Sequence, residues 1–198
     1  MSGQDAKQNT TPSIRRIALA VLLCVAAAGL LMSQRAELLE YRLYFTEDRK
    51  DVSFAIGELS ETWTEQTLRE RFAGLPIHCQ PNPGAGLGDL ACAVDVKSYN
   101  GLPALFISFF FEAGQLQQVS VNVPWWKHDA AYARLRQWLG PPHASQVFPH
   151  SGVRLHGWQL AGGAGVFFNR DASLNPLEWS AIQWRSASSC AALPCFGS

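Results

Sequence analysis

Charge is what this chain has least of. Across 198 residues, Lys and Arg number 16 and Asp and Glu 16, so charged residues are 16% of the chain and cancel. With Asp5, Lys7, Arg15 and Arg16 set aside, the part from Arg35 onward carries 13 basic and 15 acidic residues. No basic stripe is available to neutralise phosphates, which excludes nucleic acid as a partner. There is no GxSxG in which a serine would sit on a strand-to-helix elbow, and Ser186, Ser188 and Ser189 fall in a tail. The carboxylates Glu112, Asp129, Asp171 and Glu178 stand beside expected turns or element ends, where caps and turn residues are needed, so no acid/base pair is assigned. His143, His150 and His156 are seven and six residues apart, which suits neither a helical i,i+4 pair nor alternate strand positions, and His78 has no partner of its own. Gly84-Ala85-Gly86-Leu87-Gly88 is glycine-rich, but it precedes a strand and lacks the helix whose amides would hold a phosphate. The expectation is a protein that is not an enzyme and carries no cofactor and no metal.

What the chain does have is one long apolar run. Ile17 to Gln34 carries no charge and is bracketed by Arg15-Arg16 and Arg35. As a helix it reaches about 27 Å, close to the hydrocarbon thickness of a bilayer. With Lys7, Arg15 and Arg16 before it against Asp5 alone, the positive excess predicts a cytoplasmic N-terminus. Cleavage after Ala26-Ala27-Ala28 is the competing reading, but Gly29-Leu30-Leu31-Met32 prolongs the apolar run past that site. Leu23 before Cys24 argues against lipid attachment there. The expected organisation is a disordered cytoplasmic tail (1–13), a transmembrane signal anchor (14–34), a helical neck (35–50) and a periplasmic domain (51–198). That makes a single-pass inner-membrane protein, with the lipid bilayer engaged through residues 17–34.

Cys79, Cys92, Cys190 and Cys195 make an even number beyond the anchor, which reads as two bridges in an oxidising compartment. Three pairings are open to four cysteines, and the local one is preferred: Cys79 with Cys92 around a Pro/Gly loop, and Cys190 with Cys195 in the tail. Neither pair has the CxxC spacing of a zinc site.

The domain reads as α+β. Leu68 and Phe72 share a helix face after Thr62 or Thr64 as cap, and Gly74 and Pro76 end that helix. Alternation then gives strands around 90–96, 105–111 and 119–123, the last two joined at 112–115 as a hairpin. Asp129 to Leu139 is a second helix, stopped by Gly140-Pro141-Pro142, and strands near 153–160, 165–169 and 178–185 follow. Leu68-Arg69 and Leu135-Arg136 coincide at an offset of 67 residues. This predicts two tandem helix-plus-three-strand repeats, about 60–124 and about 125–186, in one antiparallel sheet with both helices on one face, followed by a disulfide-closed tail (187–198).

At Thr62-Trp63-Thr64-Glu65-Gln66-Thr67-Leu68 through Gly74-Leu75-Pro76, the chain resembles the opening helix of the SmpA/OmlA (BamE-like) outer-membrane lipoproteins, and the 105–116 hairpin is similar to their strand pair. The two-unit arrangement with nearby cysteine pairs also resembles beta-lactamase-inhibitor-type proteins. That resemblance implies protein binding on an open sheet.

Eleven Phe and seven Trp are many for a chain of this size. If Leu105, Ile107, Phe109 and Phe111 face the helices, Phe106 and Phe110 face away, and an exposed aromatic sheet face marks a protein-binding surface. Phe106, Phe110 and Trp158 are the expected binding residues for an envelope protein. The competing expectation is that the neck or the tail covers this face. Trp125-Trp126 would be a second contact point, a membrane-interface anchor or a plug between repeats. The alternative function is a periplasmic enzyme or a small-ligand or metal-binding domain built near His143, His150 or His156.

Overall fold

The structure, a computed structural model, describes residues 14–82, 86–147, 153–192 and 195–196. The expected tail 1–13, His150 and the Gly84-Ala85 part of the glycine-rich loop lie outside them. The chain divides into two compact units, Met1–Leu39 and Glu40–Ser198.

The first unit holds α1 (Ile14–Ser33) and the start of α2 (Arg35–Thr46). Ile17, Leu19, Val21, Leu22, Leu23, Val25 and Met32 of α1 are exposed. The expected transmembrane anchor is corrected: among the described residues no helix is long and apolar enough to cross a membrane. Of its 20 residues, α1 spends the first turn on Arg15 and Arg16, and a turn at Gln34 separates it from α2. The apolar run is therefore not carried on into the neck as one continuous helix. The single-pass inner-membrane placement falls with the anchor.

The second unit is built on one eight-stranded antiparallel sheet. Its strands are β2 (Ile77–Pro81), β3 (Leu90–Asp95), β6 (Phe106–Glu112), β7 (Gln115–Pro124), β8 (Ala144–Val147), β9 (Arg154–Gln159), β10 (Gly165–Asn169) and β11 (Trp179–Arg185), in the order β2-β3-β6-β7-β11-β10-β9-β8. Each half is therefore a four-stranded meander, and the halves meet where β7 pairs with β11. Three strands per half were expected. The two that periodicity missed, β2 and β8, are the outermost, and their alternation is weak because only one neighbour packs on each. A small sheet of β1 (Asp51–Val52), β4 (Ser98–Tyr99) and β5 (Leu102–Pro103) grows from the connection between β3 and β6. Both hairpin turns there and at the end of β6 take two consecutive residues at positive φ, Asn100-Gly101 and Ala113-Gly114, as a type I′ turn requires.

The helices α3 (Glu65–Arg71) and α4 (His128–Leu139) pack on one side of this sheet, as the apolar stripes predict. Thr64 caps α3, its hydroxyl accepting the Thr67 amide, and Arg69 pairs with Glu65 one turn back at 2.6 Å. Gly140, at φ 80, ends α4. Leu68 and Leu135, the pair matched by the repeat, are both fully buried in a single core. That core takes every second residue of the strands: one row runs Val94, Ile107, Val121, Ile182, Phe168, and the next Cys92, Phe109, Val119, Trp184, Val166, Trp158. Each such side chain contributes about 1.5–3 kcal/mol by leaving water.

Both disulfides pair locally, Cys79–Cys92 across β2 and β3, and Cys190–Cys195 between α5 (Ala187–Ala192) and the segment beyond it. Gly88, at φ 112, is required where it stands, because a Cβ there would collide with the Phe111 carbonyl.

Candidate functional site on the outer face of the sheet

Alternation sends the intervening residues to the opposite face. Its rows are Asp95, Phe106, Asn122, Ala181; then Ala93, Ser108, Ser120, Gln183, Phe167, Gly157; then Ala91, Phe110, Gln118, Arg185, Gly165. Two separate pieces of chain cover the ends of this face, so both expected covers are present, each over part of it.

At one end, Tyr41 and Tyr44 of α2 pack with Leu105, Phe106, Leu177 and Trp179. The Phe106 ring meets Trp179 edge-on at 5.3 Å. The Tyr41 hydroxyl donates to the Glu178 carbonyl and the Tyr44 hydroxyl to that of Lys97. Burial pushes both phenols above their ordinary pKa, with the Trp125 backbone opposing it at Tyr41 and the Arg49 charge at Tyr44. Arg49, its side chain 3% exposed, ties the end of α2 to the sheet. Its Nη1 donates to Glu40 Oε1 and to the Leu105 carbonyl, both at 2.8 Å. Burial alone would lower the Arg49 pKa; the hydrogen bond and charge of Glu40 outweigh it and hold the guanidinium above its usual value.

At the other end, the tail closes over Leu155 and Phe167 with Cys190, Cys195 and Phe196. Phe196 stacks on Phe167 at 5.3 Å. Gly157 and Gly165 make the room: a Cβ on Gly165 would lie 2.8 Å from the Phe167 ring and 3.1 Å from that of Phe196.

Between the covers lies the open middle of the face, where Ala91, Ala93, Ser108 and Phe110 are half-buried, while Ser120 is buried. Gln118 is 6% exposed overall; its carboxamide and that of Gln183 beside it have no hydrogen-bond partner among the described residues, and neither is among the polar groups shut off from water. Asn122, by contrast, is spent on the Phe106 and Ser120 carbonyls.

Of the residues expected to bind, Phe110 is on the open middle and Phe106 is half-covered by α2. Trp158 is corrected outright: it points to the helix side, is fully buried, and donates its Nε1–H to the Gly140 carbonyl at 2.9 Å. Phase, not period, decided this. Alternation marks which residues share a face without saying which face is inside. Trp125 and Trp126 are 36% and 43% exposed, and Trp126 lies against Tyr41 and Phe45.

The polar groups that could do chemistry are otherwise engaged. Asp171 pairs with Arg154 at 2.7 Å, and Glu178 accepts from Ser173 and Asn175. Asp129 stands in the first turn of α4 and Glu112 at the exposed hairpin. His143 Nδ1 accepts the Gln159 amide, and His156 stacks on Tyr132, its pKa lowered by burial and by Arg170. No group of three metal-ligating side chains occurs among the described residues. Sequence reading missed one pair, His128 Nδ1 and Ser180 Oγ at 2.7 Å, because the two are 52 positions apart and carry no motif. Both are buried, no carboxylate bonds to His128 among the described residues, and its ring packs on Phe168 at 4.9 Å. That contact seats the first turn of α4 on β11. An activated serine would need an orienting acid and an oxyanion site as well.

No protein-family model matches the chain, and no curated protein matches it. Among solved structures it is similar to a DUF4309 family protein (YjgB) from Bacillus subtilis subsp. subtilis str. 168, at 12% identity and a TM-score of 0.41, over 76% of this chain and 97% of that one. So slight a likeness bears no argument about function.

Proposed function

We propose that the sheet domain is a non-catalytic protein-binding module, working in an oxidising extracytoplasmic space and taking an envelope protein on the open middle of its outer sheet face. The observation that carries this reading is the pair of neighbouring carboxamides on this face, Gln118 and Gln183, neither of which bonds to any described residue. Neither carboxamide is sealed from water, so both are accessible to the main-chain groups of a bound polypeptide. Around them, Ser108 offers a further donor and acceptor, the alanines let a backbone approach closely, and Phe110 supplies an aromatic anchor. The two disulfides support the compartment. The resemblance to SmpA/OmlA and beta-lactamase-inhibitor-type proteins points the same way.

The test is site-specific photo-crosslinking in intact cells, with a benzophenone amino acid at Ser108, Phe110 or Gln183 of the full-length chain. Positions Glu70 and Gln137 on the exposed faces of α3 and α4 serve as controls. A discrete adduct from the sheet positions that the controls do not give is expected. Equal labelling from both sides, or none from the sheet, would refute the reading.

A further inference from the structure

On the helix side, away from the face discussed above, a cleft of about 860 Å³ opens between the 53–58 segment and the C-terminal half of α4. Its walls are Phe54, Ile56, Trp138 and Leu139, and Arg134 and Glu58 stand in its lining. We propose that this cleft is a binding site for a small aryl carboxylate, whose ring lies against Phe54 and Trp138 and whose carboxylate meets Arg134.

The cleft is a built feature. Its outer wall is pinned by Asn100, whose Oδ1 accepts from the Ser53 hydroxyl and the Phe54 amide while its Nδ2 donates to the Phe54 carbonyl. Asn100 does this at φ 50, a conformation that L-residues rarely adopt. The Tyr99 hydroxyl holds the same Phe54 carbonyl at 3.0 Å. Phe54 then joins a run of rings, 4.8 Å from Tyr99 and 5.8 Å from Phe72, and Tyr99 in turn lies 5.9 Å from Trp138. The aromatic walls are thus held from behind, while Phe54 and Trp138 stay half-exposed toward the cleft.

The charges select the ligand. Arg134 is exposed and forms no ion pair among the described residues; its one partner is the Trp138 ring, 5.8 Å from the guanidinium carbon. Glu58 has its counterion already, Arg71 at 3.8 Å. An unpaired guanidinium beside a half-exposed indole favours a planar carboxylate bonded to the fork, with an aromatic body on the ring. The volume is within the range of small-molecule sites.

Titration calorimetry on the full-length chain tests this with indole-3-propionate, its neutral amide, and tryptamine. The carboxylate should bind saturably, and both the amide and the amine at least about tenfold more weakly, the worth of one charge-assisted contact. Arg134→Gln should abolish that preference and leave circular dichroism unchanged. Gly57→Phe should block the carboxylate and the amide alike, because Gly57 has open space around a built Cβ and an ordinary φ, so the fold accepts the side chain. No saturable heat up to about 5 mM carboxylate, equal affinity for acid and amide, or unaltered binding in Gly57→Phe would each overturn the assignment. The cross-linking above reads the other face, so either result can fail without the other.

Discussion

Replacing Arg49 with Met should uncouple α2 from the sheet. Arg49 is the one Arg, Lys, Asp or Glu among the buried described residues, and it bonds Glu40 and the Leu105 carbonyl at 2.8 Å each. Methionine conserves most of the volume, so the loss is electrostatic. The Leu105 carbonyl keeps the Val96 amide at 3.2 Å, which limits its share. Glu47, 46% exposed, contributes little, since exposed pairs are worth under about 1 kcal/mol. Glu40 is 20% exposed and would keep its charge without a counterion. One charge-assisted bond to a buried carbonyl and one stranded carboxylate together come to about 3 kcal/mol. For a domain of this size that is about 6–12 °C in Tm. Urea unfolding of wild type, Arg49→Met, Glu40→Gln and the double variant measures it as a thermodynamic cycle. Glu40→Gln added to Arg49→Met should restore about 1–2 kcal/mol, because it removes the stranded charge. A loss under about 1 kcal/mol in Arg49→Met, or a double variant no more stable than the single one, would refute the reasoning.

Tyr41, Tyr44 and Tyr99 all have pKa values raised by burial, Tyr99 the most. An acid held protonated in the fold contributes stability that is complete below its unfolded pKa, about 10, and is lost as pH rises above that value. Denaturant midpoints should therefore fall between about pH 10 and 11.5, and a flat profile there would contradict the burial assigned to these rings. Converting Cys79 and Cys92 to Ser should cost about 3 kcal/mol, from the entropy of a loop whose ends are 13 residues apart, read from urea midpoints without reductant. Gly165→Val should drive Phe167 and Phe196 apart, costing about 1–3 kcal/mol and speeding amide exchange in 187–192 while leaving α3 protected. Unchanged exchange in that helix would mean the tail does not rest on Phe167.

Local chemistry was legible in the chain. The end of α4 at Gly140, the hairpin at 112–115 and six of the eight main strands follow from caps, turn residues and alternation, which act within a few positions. Disulfide pairing was legible for the same reason, since each bridge closes a short loop. The burial of Leu68 and Leu135 was legible too, because each stands on the apolar stripe of its own helix.

What the folded arrangement alone decided is phase and contact at long range. A period of two leaves both faces equivalent until something packs on one of them, so Trp158 could be assigned to the wrong side while Phe110 was not. The pairing of β7 with β11, the seat of α2 over Phe106, and the tail over Phe167 join segments far apart in sequence. The same holds for Gln118 and for the cleft beside Arg134. An amide is unspent, or a guanidinium unpaired, only by virtue of which neighbours the fold brings near, and no stretch of sequence encodes that locally.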